Sequence, residues 1–392
     1  MKGIFLFLVL AIALVNSTKK EIVCYFTNWA IYRPGIGLFQ TSDIDSSLCT
    51  IINYAFVGLW GDTGEVRVLD DFSDVARGNL KGVIGLKQNN TNLKVLASMG
   101  GWNEGSKNYS IVAANATLRS NFIKSVLKYV QDNDFDGFDF DWEYPTARGG
   151  LAEDVENYII LLQELNAALK AANTGYLLTV AVAGAGEQVE LSYNVPALTK
   201  VVDYVFCMMY DFRIAPSTNY TAHHSPLNYS SLDITEETRI LSVYGGIQQW
   251  LSLGANASKL ILGLAFYGRS FELVDLNDNG LYAASNGTGP AGPLTRTAGF
   301  ISYQEICNYY GDYTHVWDEE QQAPHAYLNN DWFSYDNARS LKLKTIYALS
   351  SGFAGVMIWD LDFDDFNNSC GNGTFPLLTA INEAVASYGS AT

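Results

Sequence analysis

Short apolar runs recur along the chain and alternate with segments of helical period. Between the fourth and fifth runs, Val155, Tyr158, Leu162, Leu165 and Leu169 are spaced three and four residues apart, as in an amphipathic helix. Further helices are predicted at 117–131, 236–253, 337–350 and 376–387. The apolar runs are predicted as strands, in the order EIVCYFTNW, CTIINYAFVGL, LKVLASMG, FDGFDFDWE, YLLTVAVAG, VVDYVFCMMYD, LILGLAFYG and GFAGVMIWD.

Apolar strands that alternate with helices predict a closed parallel (β/α)8 barrel of the TIM type, and an open doubly wound sheet is the alternative. One interval, 270–335, breaks the alternation with short strand-like pieces. We expect it to form a small α+β insertion between strand 7 and strand 8, which assigns 18–269 and 336–392 to the barrel. An insertion at this point would lie at the carboxyl ends of the strands, where it can wall a cleft.

The predicted fourth strand carries several carboxylates. Asp139, Asp141 and Glu143 alternate with aromatic residues, so a strand would place the three carboxylates on one face and the aromatic side chains on the other. In a barrel the carboxylates would point inward, and repulsion would keep at least one of them protonated, ready to act as an acid near neutral pH. A solvated acidic edge or a calcium loop would not alternate with aromatic residues, and a divalent-metal site is the competing chemistry.

The net charge and the N-terminal segment indicate which partners and which cellular location to expect. It has 24 basic and 41 acidic residues, so neither nucleic acid nor an anionic membrane is an expected partner. The apolar run Ile4–Val15 follows Lys2 and is too short to span a bilayer, which predicts a secretory signal peptide over 1–17 and an extracellular protein; a membrane anchor is the alternative. Sequons agree with secretion, and they begin at Asn89, Asn108, Asn115, Asn219, Asn228, Asn256, Asn286, Asn367 and Asn372.

The cysteines fit an oxidising compartment. Cys207 lies inside an apolar run and is expected to be a buried free thiol. The other four allow three pairings. Cys24 with Cys49 is the preferred pair because both lie near the starts of consecutive strands, which leaves Cys307 with Cys370.

The segment FDGFDFDWEYP resembles the signature of glycoside hydrolase family 18, Asp-x-x-Asp-x-Asp-x-Glu, as found in secreted animal chitinases and chitinase-like proteins. Matching segments follow in order at the other strands: CYFTNWAIYRPG, INYAF, KVLASMGGW, MMYDF, LILGLAFYGRSF and GVMIWDLDFDDF. The resemblance implies hydrolysis of β-1,4 linkages in chitin and chito-oligosaccharides with retention, through attack by the substrate's own 2-acetamido group. It implies neither a cofactor nor a metal, and we expect a monomer.

The resemblance also implies roles for individual residues. Glu143 would protonate the glycosidic oxygen, while Asp141 would orient the acetamido group and exchange a proton or hydrogen bond with Asp139. Tyr210 would donate a hydrogen bond to the acetamido carbonyl. Cleft positions that would bind substrate are Tyr25, Trp29, Phe56, Trp102, Tyr144, Met208, Asp211, Tyr267, Arg269 and Trp359. Residues expected to be structural are Asp136, together with Ser98, Gly100 and Gly101 packed beneath it.

One segment departs from the family pattern. After Asp211 the chain reads DFRIAPSTNYTAHHSPL and lacks the aromatic residue that chitinases often offer to the reducing-end side of the substrate. Weak binding of the leaving group is therefore expected. Two alternatives remain: a chitinase-like lectin, which typically lacks the acid or a neighbouring Asp, and an endo-β-N-acetylglucosaminidase. The complete set of carboxylates favours an active chitinase.

Overall fold

The computed structural model describes residues 20–391, and within them eight parallel strands close into a barrel. The barrel strands are β1 (Glu21–Thr27), β2 (Ile51–Leu59), β3 (Lys94–Gly100), β4 (Gly137–Asp141), β5 (Leu177–Ala183), β6 (Tyr204–Met208), β7 (Leu260–Ala265) and β8 (Gly355–Trp359). Each strand pairs in parallel with the next, and β8 pairs with β1. The predicted TIM barrel is confirmed. The predicted signal peptide, 1–17, lies outside the described residues.

Helices surround the barrel. They are α1 (Asn79–Gly85), α2 (Lys107–Ala114), α3 (Ala116–Asp132), α4 (Asp154–Ala172), α5 (Glu187–Ser192), α6 (Val195–Val201), α7 (Glu236–Arg239), α8 (Val243–Ser252), α9 (Tyr303–Tyr309), α10 (Ala338–Ser350) and α11 (Pro376–Ala391). The single helix predicted over 236–253 is wrong. The chain divides there because Ser242 is extended and caps α8, its hydroxyl accepting a hydrogen bond from the Gly245 amide at 3.0 Å. In the part of the chain that the structure covers, no helix has the length and apolarity to cross a membrane.

A second sheet follows β7 directly. In the described chain it has six antiparallel strands: Tyr267–Leu273, Ser285–Thr288, Phe300–Ser302, Thr314–Asp318, Ala323–Leu328 and Asp331–Ser334. The first of these is central and pairs with three others. Tyr267 and Arg269 therefore belong to this sheet, although they follow the last barrel residue of β7 by only a few positions. The division of the chain into a barrel and an insertion at 270–335 stays a prediction.

The two faces of β4 meet different surroundings. The ring of Phe140 lies 5.8 Å from Phe122 of α3 and 5.6 Å from Tyr158 of α4, and Trp142 lies 5.2 Å from Tyr158. These aromatic contacts fix the strand against its helices and contribute about 0.5–1.5 kcal/mol each beyond burial. Because side chains alternate along a strand, the acidic residues of β4 point into the barrel. The predicted alternation of faces is observed.

Both predicted disulfides are present. Cys24 of β1 bonds to Cys49, just before β2, and Cys307 of α9 bonds to Cys370, which follows β8. The first joins two neighbouring barrel strands, and the second ties the segment after the barrel to the segment that carries the second sheet. Among the described cysteines, Cys207 is free and buried, as expected.

Candidate active site

Asp139 lies inside the barrel at the centre of a hydrogen-bond network. Strand register places Ser98 of β3 on one side of it and Thr179 of β5 on the other. The hydroxyls of Ser98 and Tyr25 donate to Oδ2 at 2.7 Å each, and the Thr179 hydroxyl donates to Oδ1 at 2.6 Å. Burial raises the pKa of Asp139, while the three hydrogen bonds oppose that rise.

Asp141 lies next along the same face, nearer the carboxyl end of the barrel, and it has far fewer partners. It is buried, and within residues 20–391 its Oδ1 makes no hydrogen bond. Burial raises its pKa well above the usual range, and the charges of Glu143 and Asp139 raise it further. Of the two inner carboxyl groups, Asp141 therefore favours the protonated form more strongly, because three donors stabilise the charge of Asp139 and Asp141 Oδ1 has no donor.

Glu143 follows the end of β4 and is half-buried at the barrel mouth. Its pKa is raised to about 7 as the net of four causes: burial raises it most, a hydrogen bond from Tyr144 and the charge of Arg148 lower it, and the charge of Asp211 raises it. A carboxyl group with this pKa is protonated in a large fraction of molecules near neutral pH. It can therefore donate a proton to a bound substrate.

Tyr210 follows β6 and faces the same carboxylates. Its hydroxyl lies 4.0 Å from the sulfur of Met357, and its pKa is raised well above normal by burial and then by the charges of Asp141 and Glu143. The hydroxyl therefore stays protonated and can donate a hydrogen bond to a ligand. Met208, the last residue of β6, packs half-buried against the apolar residues inside the barrel.

Asp211 links the barrel to the second sheet. It lies in the left-handed region, with φ of 60°, and pairs with Arg269, whose Nε donates to Oδ1 at 2.8 Å. The Tyr267 hydroxyl donates to the same oxygen at 2.9 Å. Burial would raise the pKa of Asp211, but the Arg269 charge and a hydrogen bond from His224 hold it well below the usual range. Asp211 is thus a fixed negative charge beside Glu143.

Aromatic residues at the exits of β1, β2 and β8 form a continuous apolar floor. The Trp359 ring lies 5.8 Å from Phe56 and 5.3 Å from Tyr25, and Phe56 stacks on Trp29 at 5.9 Å. Trp29 is 37% exposed, so this floor opens to solvent. Flat aromatic faces of this kind suit the apolar faces of pyranose rings.

Trp102 stands at the exit of β3 and is 58% exposed. The guanidinium of Arg148 lies 3.6 Å from its ring centroid. The same guanidinium donates to the backbone oxygen of Trp102 and, at 3.3 Å, to that of Glu143. Arg148 therefore holds Trp102 next to the acidic residue and leaves only one face of the indole open.

The sequence-based placement of Ser98, Gly100 and Gly101 beneath Asp136 needs correction. Ser98 does not lie beneath Asp136, because its hydroxyl reaches Asp139. Asp136 instead accepts from the Val95 amide at 2.9 Å and pairs with Lys94 at 3.3 Å, before β4 begins. Asp136 thus holds β4 to β3, as a structural residue does.

The two glycines also lie at the mouth of the barrel and not beneath Asp136. A side chain on Gly100 would meet the Asp141 carbonyl oxygen, at 1.9 Å from the position of its Cβ, and one on Gly101 would strike the Phe56 ring, at 2.5 Å. Both glycines have positive φ, of 121° and 82°. Their lack of a side chain lets β3 and the floor approach Asp141 closely.

Thr179 and Arg148 are functional candidates that the sequence did not reveal. Thr179 reaches Asp139 from 40 residues away, and only the register between β4 and β5 brings the two together. Alternation along β5, counted from its strand start, could have placed Thr179 inside the barrel. Arg148 lies in a polar turn after the motif, and its sequence position gives no signal of its contact with Trp102.

Comparisons with known proteins agree with this geometry. The sequence profile of glycosyl hydrolases family 18 matches residues 21–364. An endochitinase of Manduca sexta is 36% identical over 391 residues, covering 97% of this chain and 70% of that protein. The crystal structure of Ostrinia furnacalis Group IV chitinase in complex with allosamidin has a TM-score of 0.90 at 41% identity, covering 94% of this chain and 99% of that chain.

A human pseudo-chitinase also has this fold. YKL-39, a pseudo-chitinase with retained chitooligosaccharide binding properties, is 30% identical with a TM-score of 0.86, covering 94% of this chain and all of that one (100%). A profile match over most of the chain, together with barrels that superimpose this closely, shows that this chain belongs to glycosyl hydrolase family 18.

Proposed function

We propose that this protein is a secreted chitinase that hydrolyses β-1,4 linkages between N-acetylglucosamine units. The observation that carries the proposal is the row of carboxylates along β4 and just beyond its end, in which Asp139 accepts three hydrogen bonds, Asp141 has an open oxygen and Glu143 has a pKa of about 7 at the mouth. A row of this kind supplies both a proton donor and an acceptor beside an aromatic floor.

In the proposed reaction, Glu143 donates its proton to the glycosidic oxygen, and the bond to the leaving sugar breaks. The acetamido oxygen of the substrate attacks the anomeric carbon from the opposite face. Asp141 ends β4 and Glu143 lies only two positions after it, so both approach the sugar from the same side and neither reaches that opposite face as a protein nucleophile would. The substrate must therefore supply the nucleophile itself, and water later opens the cyclic intermediate with overall retention.

Asp141 and Tyr210 would hold the acetamido group in place for this attack. Transfer of the Asp141 proton to Asp139 leaves a carboxylate on Asp141 that accepts a hydrogen bond from the acetamido N–H and stabilises the positive charge of the cyclised ring. The Tyr210 hydroxyl donates to the acetamido oxygen. Positioning of this kind replaces a bimolecular step by an intramolecular one.

The test replaces the acid while keeping its shape. In Glu143→Gln, hydrolysis of a fluorogenic chitotriose-type substrate should fall by at least about 100-fold, while chito-oligosaccharide affinity measured by calorimetry persists. Glu156→Gln, at an exposed position on α4, is the matched control and should retain full activity. Turnover near the wild-type level in Glu143→Gln would refute the assignment of the acid.

A second experiment tests the role of the acetamido group. The enzyme should cleave N-acetylated oligomers to initial β-anomers, observed by NMR, and leave cellotetraose and fully deacetylated chitosan tetramer intact, because these substrates lack the internal nucleophile. Hydrolysis of cellotetraose at a comparable kcat, or initial α-anomers, would exclude this mechanism. Oligosaccharide binding without any hydrolysis by the wild-type protein would instead favour a lectin, of which the pseudo-chitinase YKL-39 is an example.

A further inference from the structure

A second pair of carboxylates lies behind the aromatic floor, outside the row on β4. Asp360 directly follows β8 and Trp359, and Asp362 lies in the short 3-10 turn Leu361–Phe363. Asp360 is fully buried, with 0% exposure, and Asp362 is 1% exposed. The proposed reaction does not use either residue, so their burial needs a separate explanation.

Only one of the four carboxylate oxygens of Asp360 and Asp362 accepts a hydrogen bond from the described residues. Asp362 Oδ1 accepts from the Thr27 hydroxyl at 2.7 Å, and Arg33 Nε lies 2.6 Å from Asp362 Oδ2 in an ion pair that lacks hydrogen-bond geometry. Across the whole described chain, no donor meets either oxygen of Asp360, or Asp362 Oδ2, in hydrogen-bond geometry. Buried oxygens without donors are costly, unless a proton lies between the two carboxyl groups.

The charges around Asp360 and Asp362 also indicate that the pair shares one proton. Arg33 offers one positive charge to two buried carboxylates, and Tyr210 after β6, whose pKa Asp360 helps to raise, is neutral. A second negative charge at zero exposure would be uncompensated. Burial raises the pKa of Asp360 well above its usual range and Asp362 raises it further, while Arg33 and the Phe363 amide oppose this rise only in part.

The pair also lies where it can fix the floor of the cleft. Arg33 follows β1, its guanidinium lies 4.5 Å from the Phe363 ring, and its ion pair with Asp362 ties the exit of β1 to the exit of β8. Trp359 is the residue just before Asp360, and its ring packs on Tyr25 from β1. Any shift in the turn after β8 therefore moves the Trp359 ring.

We propose that Asp360 is a positioning residue: it carries a proton, donates it in a hydrogen bond to Asp362, and so fixes Trp359 as the floor of the sugar site. The effect on sugar binding rests on the proposed function, whereas the shared proton does not. Asp360→Asn keeps a hydrogen-bond donor in a side chain of nearly the same shape, while Asp360→Ala removes that donor. Neither variant can carry a negative charge at position 360, and only Asp360→Asn can still donate a hydrogen bond, so a difference between the two variants reports on that hydrogen bond.

Infrared spectroscopy tests the proton directly. The difference spectrum of wild type minus Asp360→Asn, at about pH 6, should contain the carbonyl band of a protonated carboxyl group, because the unperturbed pKa of Asp is near 4. Bands of an ionised carboxylate in that difference spectrum would overturn the proposal. This measurement needs no turnover and uses a nearly isosteric variant, so it remains decisive if the chain proves not to be a chitinase.

Kinetics tests the positioning. Asp360→Ala should raise KM for chitotetraose about tenfold and change kcat less than about threefold, and Asp360→Asn should keep KM within about twofold of wild type. Asp278→Ala, at an exposed position, is the control and should leave both constants unchanged. An unchanged KM in Asp360→Ala, or a failure of Asp360→Asn to preserve KM, would overturn the role of the pair.

Discussion

The pKa of Glu143 is the balance of opposing neighbours. Burial and Asp211 favour the protonated acid, whereas Tyr144 and Arg148 favour the carboxylate. The result, about 7, is suited to a proton donor near neutral pH. Since the protonated form is the active one, the rate should fall as pH rises through this pKa.

Arg148 therefore helps to set the pH at which the rate falls on the alkaline side of the pH–rate profile, called the alkaline limb below. Arg148→Gln removes a cation that lowers the pKa of Glu143, so the limb should move to higher pH, and the shift should shrink in high salt because Arg148 is exposed. The measurement is kcat/KM against pH. Arg296→Gln, at another exposed arginine, should leave the limb in place. A limb that moves to lower pH in Arg148→Gln would contradict this assignment.

Strand β4 combines two buried acids whose pKa values are both raised by burial but whose hydrogen bonding differs. Asp139 is held by three hydroxyl donors, whereas Asp141 has an open oxygen and a strongly raised pKa. An acid whose folded-state pKa is raised destabilises the fold once pH exceeds its unfolded value of about 4, and the penalty grows until pH passes the folded value. The strand thus gives up stability to keep Asp141 available for chemistry.

Matched amide substitutions should separate the two acids. Asp141→Asn should raise Tm at neutral pH, and the gain should vanish near about pH 4, where the acid is protonated in both states. Asp139→Asn should lower Tm, because the amide nitrogen cannot accept from the surrounding hydroxyls, at a cost of about 1–3 kcal/mol. Both variants should lose activity. Equal destabilisation by the two substitutions, measured by calorimetry across pH, would contradict this account.

Sequence patterns predicted the elements of the barrel better than the contacts between them. Alternation along β4 correctly placed Asp139 and Asp141 inside, because the period of a strand is local. The donors to Asp139 depend on register with β3 and β5, which no local pattern encodes, so Ser98 was assigned to the wrong carboxylate and Thr179 was missed. The helix predicted over 236–253 failed for a related reason: its apolar spacing continues across a break that the cap at Ser242 imposes.

At the scale of the whole molecule, the cleft has two unlike halves. One side has the aromatic floor of Trp359, Phe56 and Trp29. On the segment that follows β6, the Arg213 side chain turns inward and pairs with Asp233 at 2.8 Å, both almost fully buried. A buried ion pair fixes that segment, and its rings at Phe212 and Tyr220 are only half-exposed, with Tyr220 already stacked on Tyr282. Sugar units should therefore be held mainly by the aromatic half.

This asymmetry predicts how the enzyme partitions its intermediate between water and sugar. An acceptor sugar must bind on the poorly equipped side to compete with water, so the native enzyme should form few products longer than its substrate. Ser217 is exposed on that segment, and its hydroxyl bonds only locally, to the Ile214 carbonyl at 2.8 Å. Ser217→Trp should add a stacking surface and raise the yield of longer oligomers from chitotetraose severalfold, since stacking of one ring contributes about 0.5–1.5 kcal/mol.

Chromatography of early products from chitotetraose measures this yield. Ser217→Ala is the matched control, because it removes the same hydroxyl without adding a ring, and it should behave as wild type. The hydrolytic rate on a short fluorogenic substrate should change little in either variant, since Glu143 and Asp141 are untouched. A high yield of longer oligomers from the native enzyme would show that acceptor sugars are already well held, and the asymmetry inferred from Arg213 and the aromatic floor would then be wrong.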